Sequence, residues 1–104
     1  MKYVLTDTTK VVEGRTLYQI KACKSFAGIA EGTLGGWIEN ERNLSQEGDA
    51  WIYDNAWVFG GARVYGNAWV FGSARVYGSA RIYGSARVYG HAWVFGSTQV
   101  SGNT

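Results

Sequence analysis

Between Ala50 and Asn103 the chain repeats one six-residue phrase nine times without an insertion. The phrase is alanine, a large or basic residue, valine or isoleucine, an aromatic, glycine, then a small polar residue. It opens as "AWIYDN", passes through "AWVFGG", "ARVYGN", "AWVFGS", "ARVYGS", "ARIYGS", "ARVYGH" and "AWVFGS", and closes as "TQVSGN". Such regularity is the signature of a repeat architecture, in which each unit buries its apolar face only against its neighbours.

A period of six suits neither a helix nor one long strand. Glycine in nearly every unit opposes a helix, while valine, isoleucine and the aromatics favour strands. Each unit therefore reads as a short strand followed by a corner. Strand alternation puts valine on one side, with arginine or tryptophan and the following aromatic on the other. Valine and alanine face inward, and glycine with the small polar residue turns the corner. Three units close a triangular coil of about 18 residues, and coils stack about 4.8 Å apart. Fold class is thus all-β, a parallel β-helix of about three coils.

The pattern resembles the hexapeptide repeat of left-handed parallel β-helices, in which an aliphatic residue is followed four positions later by a small one. Val58/Ala62, Val64/Ala68, Val70/Ala74, Val76/Ala80, Ile82/Ala86 and Val88/Ala92 are the matching pairs. That resemblance implies a left-handed solenoid, and it raises acyltransferase activity, because many proteins of that fold transfer acyl groups from acyl-CoA or acyl carrier protein.

Residues 1–43 differ. "KYVLTDTTKVVEGRTLYQIKA" reads as short strands with a two-residue turn at Glu13–Gly14. "FAGIAEGTLGGWIENERN" reads as a glycine-rich loop. An open coil exposes core and strand edge, so 1–43 is expected to form an N-terminal β cap, with Trp37 and Ile38 docking on the first coil of a 44–104 solenoid. "LSQEGD" (44–49) keeps Gly48 in phase and loses the apolar positions, as a degenerate lead-in would. Gln99 and Ser101 soften the last unit, which suggests a weakly capped or dimerising C-terminal end.

The net charge of +2 conceals an asymmetry. All eight acids lie in residues 1–54 beside six basic residues, which gives −2; residues 55–104 carry Arg63, Arg75, Arg81 and Arg87 and no acid, which gives +4. The repeat half is the basic half, which speaks to partners and not to fold. The one cysteine, Cys23, excludes an internal disulfide and reads as a small buried or half-buried thiol in a reducing compartment. No apolar run approaches a membrane span, and "MKYVLTDTTK" has no signal-peptide core. The expectation is a soluble protein of a bacterial cytoplasm, without a cofactor or metal.

Residues 18 apart should share a column. The first face then presents Trp51, Trp69, Arg87 beside Tyr53, Phe71, Tyr89. The second presents Trp57, Arg75, Trp93 beside Phe59, Tyr77, Phe95. The third presents Arg63, Arg81, Gln99 beside Tyr65, Tyr83, Ser101. Stacked rings stabilise adjacent strands by roughly 0.2–1 kcal/mol per pair, so these ladders can be purely structural. Yet tryptophan, tyrosine and arginine are also the residues of binding hot spots. Arg63 over Arg81, with no acid nearby, is a like-charge juxtaposition that an anionic partner would relieve. The candidate partner-binding residues are therefore Arg63, Tyr65, Arg81 and Tyr83, with Arg75, Arg87, Trp69 and Trp93 beside them. The implied partner is a protein or nucleoprotein with an acidic or phosphate surface, with self-association as the alternative use of the aromatic faces.

Catalysis has thin support. His91, the one histidine, occupies a corner position, no loop interrupts the repeats to build a site, and Asp54 lies one or two coils away. There is no phosphate loop and no metal-ligand cluster. Exposed tryptophans suit sugars, but arginine columns do not suit a neutral one.

A narrower resemblance covers nearly the whole chain. Leu34, Gly35, Gly36, Trp37, Ile38 and Glu39, then Asn43, Leu44, Ser45 and Gly48, lead into "ARVYGN" units. This run is similar to the YdcK-like group of small phage and prophage β-solenoid proteins. The resemblance implies fold and a phage-type origin. It carries no shared biochemical activity, and it leaves room for an inhibitor of a bacterial defence system, as anti-CRISPR proteins are.

Overall fold

The computed structural model describes residues 1–102; Asn103, which closes the ninth unit, lies outside them. In chain order the strands are β1 (Tyr3–Val12), β2 (Arg15–Ala22), β3 (Leu34–Ile38), β4 (Trp51–Ile52), β5 (Trp57–Val58), β6 (Arg63–Val64), β7 (Trp69–Val70), β8 (Arg75–Val76), β9 (Arg81–Tyr83), β10 (Arg87–Val88), β11 (Trp93–Val94) and β12 (Gln99–Ser101). Each hexad contributes one short strand. The strands sort into three parallel stacks, β4-β7-β10, β5-β8-β11 and β6-β9-β12. Partners lie 18 residues apart, as in Trp51↔Trp69, Trp57↔Arg75 and Arg63↔Arg81. The chain is a β-solenoid, and its outward columns are the ones the hexad phase dictates.

The interior is alanine and branched aliphatics. Ala50, Ala56, Ala62, Ala68, Ala74 and Ala80 are fully buried with Ile52, Val58, Val64, Val70, Val76 and Ile82. Corner glycines adopt the left-handed backbone conformation that other L-residues resist. At Gly78 (φ 73°) a methyl would also stand only 2.8 Å from the Gly96 amide nitrogen. The first hexad uses Asp54 at that corner (φ 57°), a residue type that visits this region more readily than most.

The N-terminal segment forms the expected hairpin. β1 and β2 pair antiparallel around Glu13 (φ 51°) and Gly14 (φ 79°). "LGGWI", expected as loop, is instead strand β3. It pairs antiparallel with β2 and parallel with β5, through Trp37↔Trp57 and Ile38↔Val58. Its glycines are there for close approach. A methyl on Gly35 would lie 2.6 Å from the Ile52 carbonyl oxygen, and one on Gly36 2.5 Å from Ile52 Cγ2 and 2.7 Å from the Ala56 oxygen. The parallel ladder thus reaches back beyond the hexads, giving about four turns.

The cap satisfies the first coil's exposed carbonyls. Lys2 Nζ donates to Ala50 O (2.7 Å) and Gly48 O (3.4 Å). Asn43 Nδ2 donates to Gly60 O (3.1 Å) and Ala62 O (2.8 Å). The Trp37 amide reaches Ala56 O (3.0 Å) and the Ser45 amide Val64 O (2.9 Å). Tyr3, whose hydroxyl donates to Leu44 O, and Phe26 meet Trp51 edge-on, at centroid separations of 6.3 and 5.4 Å. Trp51, expected at the head of an outward column, is therefore fully buried, because the cap folds over the first face there. Cys23, expected to be buried or half-buried, is exposed, since it opens the loop that leaves β2.

Lys2 gives this cap a pH signature. Burial lowers its ammonium from 10.5 to about 8, with Asp49 opposing and Lys24 adding to the shift. Between these values the unfolded chain holds a proton that the folded chain has released, so stability rises with pH. The gain is complete only above 10.5 and is lost as pH falls through about 8. Burial, helped by Glu41, pushes the Tyr3 phenol up, which acts in the opposite sense above its usual 10. Urea titrations at about pH 7.5 and about pH 9.5 should show higher stability at the upper value, with that increment absent from Lys2→Met.

Candidate anion-binding face

β6 and β9 place Arg63 and Arg81 side by side in register, and both are exposed. Beside them Tyr65 and Tyr83 stack with centroids 5.3 Å apart and planes 8° from parallel. Gln99 follows in the column and lies 3.5 Å from the Tyr83 hydroxyl. The solenoid fixes these side chains on successive rungs, so presenting them to a partner costs little ordering entropy.

The four repeat arginines are not equivalent. The Arg75 guanidinium carbon sits between Trp57 (4.4 Å to the ring centroid) and Trp93 (5.5 Å). That of Arg87 lies 4.1 Å over Trp69, and its Nη1 donates to Ser85 O (3.0 Å). These two are already engaged by the protein itself. Replacing Arg75 by Met should cost about 0.5–1 kcal/mol in a denaturant titration, the worth of an exposed cation–π contact. Among the described residues, Arg63 and Arg81 have no ion pair and no ring beneath them. Trp69 is half-buried, with its indole N–H on Asp49 O (3.3 Å), and Trp93 is exposed. The eight candidate residues consequently divide among three faces, and only Arg63, Tyr65, Arg81 and Tyr83 form one strip.

The cap widens this strip into a cleft of about 370 Å³, to which Arg42, Ser45 and Gln46 contribute beside Arg63 and Arg81. Arg42 brings a third guanidinium. Glu41 also lines the cleft, so the expectation that no acid lies near the pair is corrected. Its carboxylate accepts from Gln46 Nε2 (3.1 Å) and pairs with none of the arginines among the described residues. Arg42 of the cap and Ser45 and Gln46 of the lead-in were out of sight in the sequence for a register reason. Leu44 faces Val64, and Trp37 faces Trp57, at offsets of 20 residues rather than 18. Two extra residues before Gly48 push the whole segment out of hexad phase.

His91 is an exposed corner residue. Asp54, in the neighbouring column two coils back, accepts at Oδ2 from the Gly72 amide (3.2 Å). Nothing in this arrangement orients the imidazole as a base. Among the described residues no group of acids, histidine and cysteine is placed to hold a metal ion, and no helix is long and apolar enough to cross a membrane.

The sequence profile of the YdcK β-solenoid repeat matches residues 62–78 and 86–102. These two segments of the solenoid are similar to YdcK β-solenoid repeats. A curated relative, the uncharacterized acetyltransferase YdcK of Escherichia coli (strain K12), is 54% identical over 46 residues, which is 43% of this chain. The chain spans only 14% of that relative's length. The matched segments include Arg63, Tyr65, Trp69, Arg75, Arg87 and Trp93, while Arg81 and Tyr83 fall between them.

Proposed function

We propose that this β-solenoid is a non-enzymatic binding module whose third face engages an anionic protein or nucleoprotein surface. The observation that carries the reading is the in-register pair Arg63 and Arg81, exposed, without an ion pair among the described residues, and joined by Arg42 around one cleft. Like charges held opposite one another are destabilising, so an acidic or phosphate-bearing partner gains from relieving them. The stacked Tyr65 and Tyr83 add a rigid aromatic edge at which bases or apolar side chains can rest. A phage-borne inhibitor acting in the bacterial cytoplasm on a defence complex is a role of this kind, and it is the biological setting we favour.

The relative's name supports a second reading, acetyl transfer. His91 is the residue on which it would depend, and the missing carboxylate partner speaks against it. Acetyl-CoA binding that is lost in His91→Ala would favour that reading.

Fluorescence anisotropy with a labelled single-stranded oligonucleotide and with labelled poly-glutamate tests the first reading. Saturable binding to at least one is expected at about 50 mM salt, weakening severalfold by about 200 mM as contacts to the anion are screened. No binding to either at the lower salt would remove the proposal.

A further inference from the structure

On a different face, and independently of the arginine cleft, the geometry points to a second site: Tyr53, Trp69 and Phe71 form an open aromatic box for a methylated ammonium group, with Asp54 at its rim.

Four residues line this cavity of about 240 Å³, three of them aromatic and the fourth an acid. Tyr53 meets Trp69 at 5.6 Å with planes 66° apart, and Phe71 at 6.2 Å with planes 82° apart. Rings set nearly at right angles make walls, whereas the parallel ladders elsewhere, such as Phe59 on Tyr77 (8°) and Tyr65 on Tyr83 (8°), leave no room between them. Tyr53 heads its column and turns edge-on to the next coil, whereas Phe71 and Tyr89 beyond it stack at 5.4 Å with planes 14° apart. All three walls are half-buried, and therefore partly desolvated, while the mouth stays open beside the exposed Asp54.

Electron-rich ring faces attract a cation within about 6 Å, most strongly where water is displaced, and aromatic boxes recognise quaternary ammonium groups in this way. Asp54 supplies the matching negative charge. It has no ion pair among the described residues, its one hydrogen bond being from the Gly72 amide. Burial pushes the Tyr53 phenol up, against the pull of Arg87 and with the help of Asp54, so this wall stays an uncharged ring at neutral pH. The volume lies below the roughly 300 Å³ at which pockets for drug-sized ligands begin. A small headgroup fits that size. The surface already carries this chemistry internally: Arg87, one coil further on, rests 4.1 Å over Trp69. Its charge works against a second cation nearby, which supplies a specific test.

Titration with tetramethylammonium chloride, followed by NMR at the Trp69 indole N–H and the Tyr53 and Phe71 ring protons, should give saturable shifts confined to these residues. Potassium chloride and 3,3-dimethylbutan-1-ol, the neutral isostere of choline, should not. Phe71→Leu should weaken binding about tenfold, Asp54→Asn about threefold and Arg87→Gln should tighten it about threefold. Asp54→Asn keeps a residue that tolerates the left-handed corner, so it remains informative if Phe71→Leu fails to fold. Choline and Nε-trimethyllysine distinguish a lipid-type headgroup from a methylated side chain, and saturable binding of either supports the site. Equal binding of the neutral isostere, failure of both compounds, or affinity indifferent to Asp54→Asn and Arg87→Gln would overturn it.

Discussion

Gly36→Ala should unfold the junction between cap and solenoid, at a cost of about 3 kcal/mol or more. The new methyl would sit 2.5 Å from Ile52 Cγ2, 2.7 Å from the Ala56 oxygen and 3.2 Å from the Tyr53 oxygen. Two of these are backbone atoms of the first coil, held in place by the ladder, so the strain cannot be shed by a rotamer change. Moving β3 outward would break the Trp37 amide bond to Ala56 O and uncover Ile38 and Ile52, both fully buried. Gly14→Ala is the control. At the hairpin tip it carries a left-handed backbone handicap (φ 79°) that Gly36 lacks, but it has open space around it, so it should cost only about 1 kcal/mol. Urea titrations of both variants decide the matter. If Gly36→Ala were the milder of the two, β3 would not be seated against the first coil.

The second large effect concerns binding. Arg63→Glu with Arg81→Glu should lower affinity for the anionic probe by roughly a thousandfold, taking about 2 kcal/mol for each hot-spot arginine. Folding should survive, because both side chains are exposed and the core beneath them, Val64 and Ile82, is untouched. The single change Arg63→Glu separates the two roles. It places a carboxylate opposite Arg81, an opposite-charge pair worth about 0.2–1 kcal/mol in place of a repulsive one. Stability should therefore rise slightly while affinity falls. Anisotropy and denaturant titration on the same samples read both signs. Binding that persists in the double variant would mean that another face carries it.

The hexads made the solenoid legible because each position has one physical job that repeats. Valine and alanine fill a narrow core, glycine turns a left-handed corner, and everything between points outward. The columns follow from that phase alone, including Arg75 between two tryptophans. What the sequence concealed lies where the phase breaks. Two extra residues before Gly48 hide the fact that "LGGWI" is a rung of the ladder, and its glycines resemble loop glycines although they serve close packing. The same break hides Arg42, Ser45 and Gln46 from the arginine strip. Trp51 shares the phase of Trp69 and Trp93, and only the docking of Tyr3 and Phe26 makes it core. Long-range cap contacts of this kind leave no periodic trace.

The 18-residue offset between partners has a genetic corollary. One hexad is a third of a turn. Duplicating or deleting a single unit would keep every core position filled, yet it would rotate all later columns onto the next face, carrying Arg81 away from Arg63. Loss or gain of three units together leaves each face as it was and changes only its height. The molecule therefore has a reading frame of three hexads, and length variation that preserves the arginine strip should arrive in whole coils.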